Sequence, residues 1–209
     1  MKIAIVAGGK LDKRFLKEIS QADMRIGVDR GAWWLIKNKL TPDVALGDFD
    51  SVTKQQLQRM KTKVKKVLVF PPLKDATDLE LAVDYAIRLK PKEVIIFGGI
   101  GTRLDHTMAA VHLLEKLLNK RIKGAIVDEH NEIVLVKDFY RMDKKQQYRY
   151  LSLLPHTQSV VVSLSGFAYP LVGVQLKRGT SRGISNELTG KRATIKVHEG
   201  MALVIKSRD

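Results

Sequence analysis

The pentapeptide GDFDS (Gly47–Ser51) places two carboxylates, Asp48 and Asp50, one residue apart in a chain with a large excess of positive charge. Two aspartates so close repel each other, so the arrangement costs free energy unless a cation or hydrogen-bond donors neutralise it. A divalent metal ion relieves that cost, and Mg²⁺ is commonly bound by a few carboxylates together with substrate phosphates. The motif leaves open what neutralises the two carboxylates: a catalytic metal ion, or solvent with a neighbouring lysine.

Further aspartates follow other apolar runs of the chain. Asp29 comes after RIGV, and Asp78 lies behind KVLVF in the segment DATDLE. In an open α/β sheet, ligands bind beyond the carboxyl ends of the strands, so these acids are expected at one edge of the sheet. A single aspartate there often only caps a helix, and Asp29 alone could cap the helix after it. Asp48, Asp50 and Asp78 together instead predict a metal–phosphate site, because uncompensated carboxylates in one crevice destabilise a fold.

A glycine stretch and two cationic residues indicate where phosphates would bind. The backbone N–H groups of Gly98–Gly101 can approach a phosphate closely, since glycine has no side chain in the way. Arg103 and Lys74 would then form a cationic clamp, although either can be ordinary surface charge. His106, beside Asp105, is a candidate base with an equally good structural interpretation at the start of a helix.

The stretch TDLE predicts a helix that begins at about Asp78, with Thr77 and Glu80 forming a T-x-x-E capping box. The N-terminus of a helix carries a partial positive charge and free N–H groups. Thr77 and Asp78 are therefore expected at a terminus suited to phosphate or metal–phosphate binding, next to an edge strand formed by KVLVF.

The order of the apolar runs predicts an α/β protein in two domains. Over residues 1–138, short β-branched runs alternate with helical patterns, which indicates a Rossmann-like domain with a parallel sheet covered on both faces. Over residues 139–209, short strand-like runs separated by Gly, Pro, Ser and Thr predict a small all-β sandwich domain without a convincing helix. The polar segment KDFYRMDKKQQ (137–147) is the expected boundary. The predicted helices are GAWWLIKNKL, DLELAVDYAIRLK and HTMAAVHLLEKLLNK.

Composition narrows the functional class. The chain has 209 residues, no cysteine and a formal net charge of +15. The missing cysteines exclude disulfides, thiolate metal sites and a cysteine nucleophile. No apolar run approaches the roughly 18 residues that span a bilayer. The N-terminal stretch is too short for a signal peptide and lacks a cleavage pattern, so a cytoplasmic protein with no membrane partner is expected.

The positive charge admits nucleic acid, membrane surfaces or phosphorylated small molecules as partners. The sequence has no RNA-binding aromatic signature, zinc finger or basic region with heptads, so nucleic acid is not the expected partner. It also lacks the Walker motif, the kinase glycine loop with its catalytic loop, and the G-x-S-x-G elbow. The sequence therefore does not predict a Walker-type nucleotide site, a protein-kinase site or a lipase-type nucleophile.

Four segments occur in a distinctive order: DRGAWWLIKNKLTPDVALGDFDS, DATDLELA, GGIGTRLDH and LKRGTSRGISNE. In that order they resemble the motifs of the thiamine pyrophosphokinase family, which are D-x-G-A leading to GDFDS, T-D-x-E, G-G-x-G-x-R-x-D-H and G-x-S-x-G-x-S-N-E. The resemblance covers nearly the whole chain. Arg30 stands where many relatives have glycine, a small departure if Asp29 keeps its position.

The resemblance implies an activity and an assembly. Members of the family transfer the terminal pyrophosphoryl group of ATP to the hydroxyethyl oxygen of thiamine, giving thiamine diphosphate and AMP. ATP is then the co-substrate, Mg²⁺ the cofactor and thiamine the acceptor. The resemblance also implies an α/β nucleotide-binding domain, a thiamine-binding β domain and a homodimer with active sites in clefts between subunits.

The resemblance further implies a set of site residues. The expected metal ligands are Asp29, Asp48, Asp50 and Asp78. The expected catalytic residues are Asp48, Asp50, Asp78 and Asp105, of which Asp78 or Asp105 is the hypothetical acceptor of the hydroxyl proton. The residues expected to bind ATP are Asp29, Thr77, Gly98, Gly99, Gly101 and Arg103. Ser185 and Asn186 are the expected thiamine contacts, although they fit a hairpin turn equally well.

Two other classes of protein stay open. Another Mg²⁺-dependent phosphoryl-transfer enzyme or a phosphatase could use the D-x-D pair for its nucleophile, although haloacid-dehalogenase enzymes place D-x-D-x-[TV] after a first strand and here the pair follows a later one. A non-catalytic nucleotide or RNA binder would fit the charge. It would bind without turnover and with a steep dependence on salt.

Overall fold

The computed structural model describes residues 1–143 and 147–209. Contacts divide the chain into two compact units, Met1–Glu129 and His130–Asp209. The division lies nine residues before the boundary expected from the sequence, and the pairing of the first strand of the second unit explains the difference, as described below. Part of the expected boundary segment, residues 144–146, lies outside the described residues.

The first unit is built on six parallel strands. Their order is β4-β3-β2-β1-β5-β6, with every neighbouring pair parallel. The predicted parallel-sheet α/β class is therefore confirmed. The strands are β1 (Lys2–Val6), β2 (Met24–Val28), β3 (Val44–Gly47), β4 (Lys66–Val69), β5 (Glu93–Phe97) and β6 (Lys123–Val127).

Five α-helices and a 3-10 turn (Lys13–Phe15) connect these strands. The strand order reverses beside β1, which has β2 on one side and β5 on the other. At such a switch point the connections leave in opposite directions and open a crevice at the carboxyl ends of the strands. The helices are α1 (Leu16–Ser20), α2 (Arg30–Lys37), α3 (Lys54–Lys63), α4 (Asp78–Arg88) and α5 (Leu104–Asn119).

The central strands are apolar along almost their whole length because both of their faces are covered. In β1, Ile3 and Ile5 are fully buried, and Ala4 and Val6 on the other face pack with Leu35 of α2. This burial fixes the ends of the strands, and so it fixes the loops that follow them.

The predicted start of α4 is confirmed. Thr77 is the N-cap, and its hydroxyl oxygen accepts a hydrogen bond from the Glu80 N–H at 3.2 Å. The Glu80 carboxylate accepts a hydrogen bond from Lys116 Nζ on α5, at 2.9 Å. The negative charge at this terminus is therefore partly engaged in fixing α4 against α5.

Helix α3 was not predicted. It begins with a complete capping box in which Gln56 N donates to Thr53 Oγ1 at 3.2 Å and Thr53 N donates to Gln56 Oε1 at 2.9 Å. Its only buried residue is Met60, so the apolar periodicity that marks a helix is weak. The T-x-x-Q spacing was the signal available in the sequence.

Gly31, in the first turn of α2, allows the helix to approach the end of β1. A Cβ atom at this position would lie 2.1 Å from the carbonyl oxygen of Val6. We expect Gly31→Ala to lower the free energy of unfolding by about 2–3 kcal/mol, because backbone cannot yield as a side chain does. Urea denaturation measures this. Gly190→Ala is the control, since nothing lies within 4 Å of its added Cβ, and equal stability of the two variants would refute the close contact.

The second unit is all β in its described part, as predicted. Its strands form two antiparallel sets, β7-β13-β9 and β11-β10-β12-β8. The strands are β7 (Asn131–Val136), β8 (Phe139–Asp143), β9 (Tyr150–Pro155), β10 (Ser159–Ser165), β11 (Leu171–Lys177), β12 (Arg192–Glu199) and β13 (Ala202–Ser207).

Strand β7 explains why the second unit begins before residue 139. It pairs with β13 along its whole length, from Asn131 opposite Ser207 to Val136 opposite Ala202. The segment KDFYRMDKKQQ, expected as the domain boundary, contributes β8, which pairs with β12. In the described part of the chain, no helix is both long enough and apolar enough to cross a membrane.

Candidate active site

Three carboxylates meet at the carboxyl ends of the parallel strands. Oxygen atoms of Asp29, Asp48 and Asp78 all lie within 4.8 Å of one another. Among the described residues, this is the group of acidic side chains close enough together to hold a metal ion. Asp29 follows β2, Asp48 follows β3, and Asp78 is the first residue of α4. Asp50 lines the same crevice without belonging to this group of three. The predicted convergence of acids from separate loops is therefore observed for three of the four expected metal ligands.

The backbone that carries these acids has unusual conformations. Asp29 has φ 47° and ψ −123°, and it occupies the N-cap position of α2 without a side-chain capping bond. Its Oδ1 instead accepts a hydrogen bond from Phe49 N at 3.1 Å. A Cβ on Gly47 would lie 1.8 Å from that oxygen, so the glycine of GDFDS leaves room for the Asp29 carboxylate. Helix capping, the alternative considered for Asp29, does not describe its side chain.

The two acids of GDFDS flank a buried aromatic ring. Phe49 has φ 59° and is 4% exposed. It packs with Met60 of α3 and with Ala45 of β3. Asp48 and Asp50, on either side of Phe49, both line the crevice, and the N–H of Asp50 donates to Asp48 Oδ1 at 3.1 Å. A non-glycine residue keeps such a conformation only where its surroundings hold it in place.

Lys74 lies between two of the clustered acids. Its Nζ is 3.2 Å from Asp48 Oδ2, 3.1 Å from Asp78 Oδ1 and 3.1 Å from the carbonyl oxygen of Pro71. The side chain is 14% exposed. Burial alone would lower the pKa of Lys74, but Asp78 and Asp48 together raise it, so the residue is an ammonium ion. The lysine that the sequence offered as a neutralising group therefore does contact the acids.

The pKa of Asp29 is raised to about 7, first by burial and then by the charge of Asp78. The pKa of Asp78 is also raised, chiefly by burial, although Lys74 opposes the shift. The pKa of Asp48 is lowered by the hydrogen bond from the Asp50 N–H and by Lys74. The pKa values of the three clustered carboxylates therefore move in opposite directions, upward for Asp29 and Asp78 and downward for Asp48. Such divergence marks functional sites.

The opposite wall of the crevice is a pair of glycine turns at the switch point. Gly9 N donates to the carbonyl oxygen of Gly98 at 2.9 Å, which ties the turn after β1 to the turn after β5. A Cβ at Gly9 would lie 2.3 Å from the Ile100 carbonyl oxygen. The crevice is lined by Gly98, Gly99 and Gly101, and at these three positions no side chain keeps a ligand away from the backbone. This is the arrangement that lets N–H groups reach a phosphate.

Arg103 and Asp105 form an exposed ion pair at the start of α5. Arg103 Nη2 is 2.6 Å from Asp105 Oδ2, with exposed fractions of 69% and 64%. The hydrogen bonds from Arg103 and from the His106 N–H hold the pKa of Asp105 at about 2. Arg103 and His106 line the crevice and Asp105 does not, so the structure places Asp105 behind Arg103.

Ser185 and Asn186 lie in the second unit, in a turn bridged to β9. Asn186 is 4% exposed, and its side-chain amide bonds the N–H and the carbonyl oxygen of Tyr169, at 3.0 and 2.8 Å. Ser185 has φ 57°, and its N–H donates to Ser152 Oγ at 3.1 Å. The hairpin-turn interpretation therefore accounts for Asn186, whose side chain fixes the backbone of the turn.

Two parts of the crevice were not among the predicted site residues. Gly8 and Gly9 line it from the end of β1, and Arg30 lines it from the start of α2. The Arg30 Nε donates to the carbonyl oxygen of Gly8. The glycine pair directly after the first strand was a usable signal, whereas the direction of the Arg30 side chain depends on a contact between two segments.

The fold and the site define a class: an α/β protein with clustered carboxylates and glycine turns in one crevice at the switch point of a parallel sheet. Similarity to known proteins identifies this class as a kinase. Residues 15–126 match the family model "Thiamin pyrophosphokinase, catalytic domain", and residues 140–202 match "Thiamin pyrophosphokinase, vitamin B1 binding domain". The chain belongs to the thiamine pyrophosphokinase family.

Individual relatives agree with this membership. The chain is 34% identical to a thiamine pyrophosphokinase of Bacillus subtilis (strain 168), with 99% of each sequence covered. The crystal structure of the Bacillus subtilis thiamine pyrophosphokinase matches with a TM-score of 0.93 and covers 100% of both chains. That of a thiamin pyrophosphokinase from Geobacillus thermodenitrificans matches at 33% identity with a TM-score of 0.89, covering 100% of this chain and 98% of the other.

Proposed function

We propose that this chain transfers the pyrophosphoryl group of ATP to the hydroxyethyl oxygen of thiamine, giving thiamine diphosphate and AMP. The observation that carries the proposal is the group of three carboxylates within 4.8 Å of one another in a crevice walled by glycine turns. Family membership names thiamine as the acceptor. The cluster and the turns supply what a polyphosphate donor requires.

The test of this function is product identification after incubation with ATP, Mg²⁺ and thiamine. We expect thiamine diphosphate and AMP in equal amounts by chromatography with mass detection. ADP or inorganic phosphate as the nucleotide product would contradict the proposal and favour the phosphatase alternative. Binding of ATP without turnover would favour a non-catalytic binder.

The residues present fit a magnesium ion. Carboxylate oxygens are the ligands that Mg²⁺ prefers, and Asp29, Asp48 and Asp78 offer three in one place. Asp78 Oδ1 is buried and has no well-aligned hydrogen-bond donor among the described residues, although Lys74 Nζ lies 3.1 Å away. We assign the metal to these three residues with Asp50 as a fourth ligand. When bound, the ion would neutralise charge on the transferred group and on the leaving phosphate.

The remaining groups of the crevice bind and orient the polyphosphate. The N-terminus of α4 at Thr77 directs its partial positive charge into the crevice. The backbone of Gly98, Gly99 and Gly101 provides N–H donors on the other wall, and Arg103 adds a guanidinium ion held in position by Asp105. These groups stabilise charge as it develops in the transition state, which is the main task of a phosphoryl-transferring enzyme.

The reaction requires one new bond and one broken bond. The hydroxyl oxygen of thiamine bonds to the β-phosphorus, the bond from that phosphorus to the oxygen bridging to the α-phosphate breaks, and AMP leaves with the electron pair. The hydroxyl proton needs an acceptor. We assign it to Asp78, which lies in the crevice and whose pKa is raised by burial, rather than to Asp105, whose pKa is held at about 2.

Asp78→Asn tests that assignment. We expect at least a 100-fold lower rate that saturating Mg²⁺ does not restore, because a general base contributes about 10²–10⁴-fold. The rate is measured against Mg²⁺ concentration at saturating ATP and thiamine. If the variant needs more Mg²⁺ but reaches the wild-type rate once saturated, Asp78 is a metal ligand only.

We further propose a division of roles between the two domains. Residues 1–138 would hold ATP and Mg²⁺ and carry out catalysis, and residues 139–209 would bind thiamine. The two matched family descriptions support this division. Ser185 is proposed as a thiamine contact, with Asn186 fixing the turn that presents it.

We also propose a homodimer with active sites at the subunit interface. Large apolar side chains on the surface of the second unit support association: Phe139, Tyr169 and Val172 are 55%, 68% and 88% exposed. Light scattering after size-exclusion chromatography would show twice the mass of the chain, and a monomer mass would contradict the proposal. The cytoplasmic location and the exclusion of nucleic acid as a partner stay predictions.

A further inference from the structure

The ammonium group of Lys74 lies against three oxygen atoms: it donates hydrogen bonds to two of them and forms an ion pair with the third. It contacts Asp48 Oδ2 at 3.2 Å, Asp78 Oδ1 at 3.1 Å and the Pro71 carbonyl oxygen at 3.1 Å. Lys74, Asp48 and Asp78 are each only 13–14% exposed. An ammonium ion has three donors and no acceptor, so two hydrogen bonds and two carboxylate contacts suit this partly buried position. Lys74 is therefore part of the acidic site and not ordinary surface charge.

The position of the ammonium group conflicts with that of a metal ion. Asp48 and Asp78 are two of the three acids whose oxygens lie within 4.8 Å of one another. Mg²⁺ binds its oxygen ligands at about 2.1 Å, so an ion held by both residues would lie in the space that the Lys74 Nζ contacts. Two cations cannot share that space, because their charges repel at such short range.

We propose that Lys74 is a tethered counter-ion of the metal site. Before substrates bind, it neutralises Asp48 and Asp78 and keeps them close together. When the metal enters, the ammonium group leaves the two carboxylates and contacts the phosphates of the nucleotide. This inference rests on the proposed magnesium site and adds to it a residue that controls how the metal is taken up.

The exchange couples the metal to the nucleotide. Free Mg²⁺ must break both carboxylate contacts of Lys74. The displaced ammonium group then has no anionic partner in a partly buried place. Mg²⁺ that arrives with a nucleotide brings phosphate oxygens, which the flexible lysine side chain can reach as a point charge. Binding of the metal and of the nucleotide is then positively cooperative, with a coupling that acts equally in both directions.

The experiment is a calorimetric titration of the full chain and of Lys74→Met with MgCl₂. It is carried out alone and in the presence of the α,β-methylene analogue of ATP, in which the bond that breaks is replaced. We expect the variant to bind free Mg²⁺ at least tenfold more tightly than the wild type. We also expect the gain in Mg²⁺ affinity caused by the analogue to shrink at least tenfold, within the usual range of such couplings. Lys74→Arg keeps the charge and should resemble the wild type.

Lys116→Met is the matched control. Lys116 also bridges two carboxylates, with Nζ 2.9 Å from Glu80 Oε1 and 2.7 Å from Asp84 Oδ1. These two acids lie on α4, outside the group of three that gathers at the crevice. Its removal should leave the affinity for Mg²⁺ unchanged. A gain equal to that of Lys74→Met would show that any lost positive charge has this effect, and would overturn the inference.

A second measurement is the melting temperature of the metal-free protein. Without Mg²⁺ at pH 8, Lys74→Met should melt at a lower temperature than the wild type, and adding Asp48→Asn should restore part of the loss, since the repulsion is then relieved. If Lys74→Met does not fold, Lys74→Gln gives the same comparison. An unchanged or weaker affinity for free Mg²⁺ in the folded variant overturns the inference alone. Absence of Mg²⁺ binding in the wild type even with the nucleotide analogue overturns the proposed metal site as well.

Discussion

Asp48→Asn is expected to lower the rate of thiamine diphosphate formation by about 10²–10³-fold at saturating ATP and thiamine. The pKa of Asp48 is lowered by the Asp50 N–H and by Lys74, whereas the pKa values of Asp29 and Asp78 are raised, so Asp48 is the acid of the cluster whose charged form the site favours. Asparagine keeps the shape and one oxygen but removes the charge that would hold the metal. The rate is measured from thiamine diphosphate and AMP formed over time at several Mg²⁺ concentrations.

Asp84→Asn is the control for this substitution. Asp84 is an aspartate of α4 that also contacts a lysine, with Lys116 Nζ 2.7 Å away, but it lies outside the crevice residues. Its loss should change the rate less than threefold, since it removes a partly exposed ion pair of small energy. A similar loss of rate in both variants would contradict the assignment of the metal to Asp48.

Asp29→Asn is expected to stabilise the metal-free protein at pH 8 while nearly abolishing activity. Burial and the charge of Asp78 raise the pKa of Asp29 from 3.8 to about 7. Because the folded pKa is the higher one, the stability that this group contributes is fully present below about pH 4. It is lost as the pH rises towards 7. Since the carboxylate is partly exposed, we expect a gain of about 1–2 kcal/mol for the neutral variant at pH 8.

The diagnostic feature of this variant is its pH dependence. The difference in Tm between Asp29→Asn and the wild type should grow from pH 5 to pH 8, and saturating Mg²⁺ with a nucleotide should reverse it. Asp105→Asn serves as the control, because the pKa of Asp105 is lowered to about 2 and its contribution therefore changes only under acidic conditions. A Tm difference for Asp29→Asn that stays constant from pH 5 to pH 8 would show that the carboxylate is not strained at this site.

Much of the fold follows from short-range signals in the sequence. The β-branched runs alternate with helical patterns because each parallel strand needs a crossover helix, and Thr77 marks the start of α4 because it satisfies the free Glu80 N–H. Helix α3 gave no such apolar signal, since Met60 is its only buried residue. Strand β7 lies within the predicted first domain by position, but its partner β13 is at the far end of the chain, and a pairing over that distance leaves no local trace.

The candidate site, too, has features that the sequence predicts and features that it does not. The convergence of Asp29, Asp48 and Asp78 follows from the rule that parallel strands end at one edge of a sheet. The direction in which each side chain points does not follow, because it depends on contacts between segments. Asp29 binds the Phe49 N–H instead of capping α2, and Lys74 reaches back from its own loop to Asp48. The type and spacing of residues therefore predict the chemistry of a site better than its geometry.

The left-handed conformation of Phe49 has a consequence for how this enzyme tolerates change. The ring is clamped among apolar neighbours that include Met60 of α3, and none of the described residues that line the crevice comes from that helix. Trimming or enlarging the ring's cavity would tilt Asp48 and Asp50 without altering a single polar atom. Substitutions on the side of α3 that packs against this ring are therefore limited by their effect on activity, although the helix itself does not line the crevice. Laboratory selection for altered turnover can find mutations there.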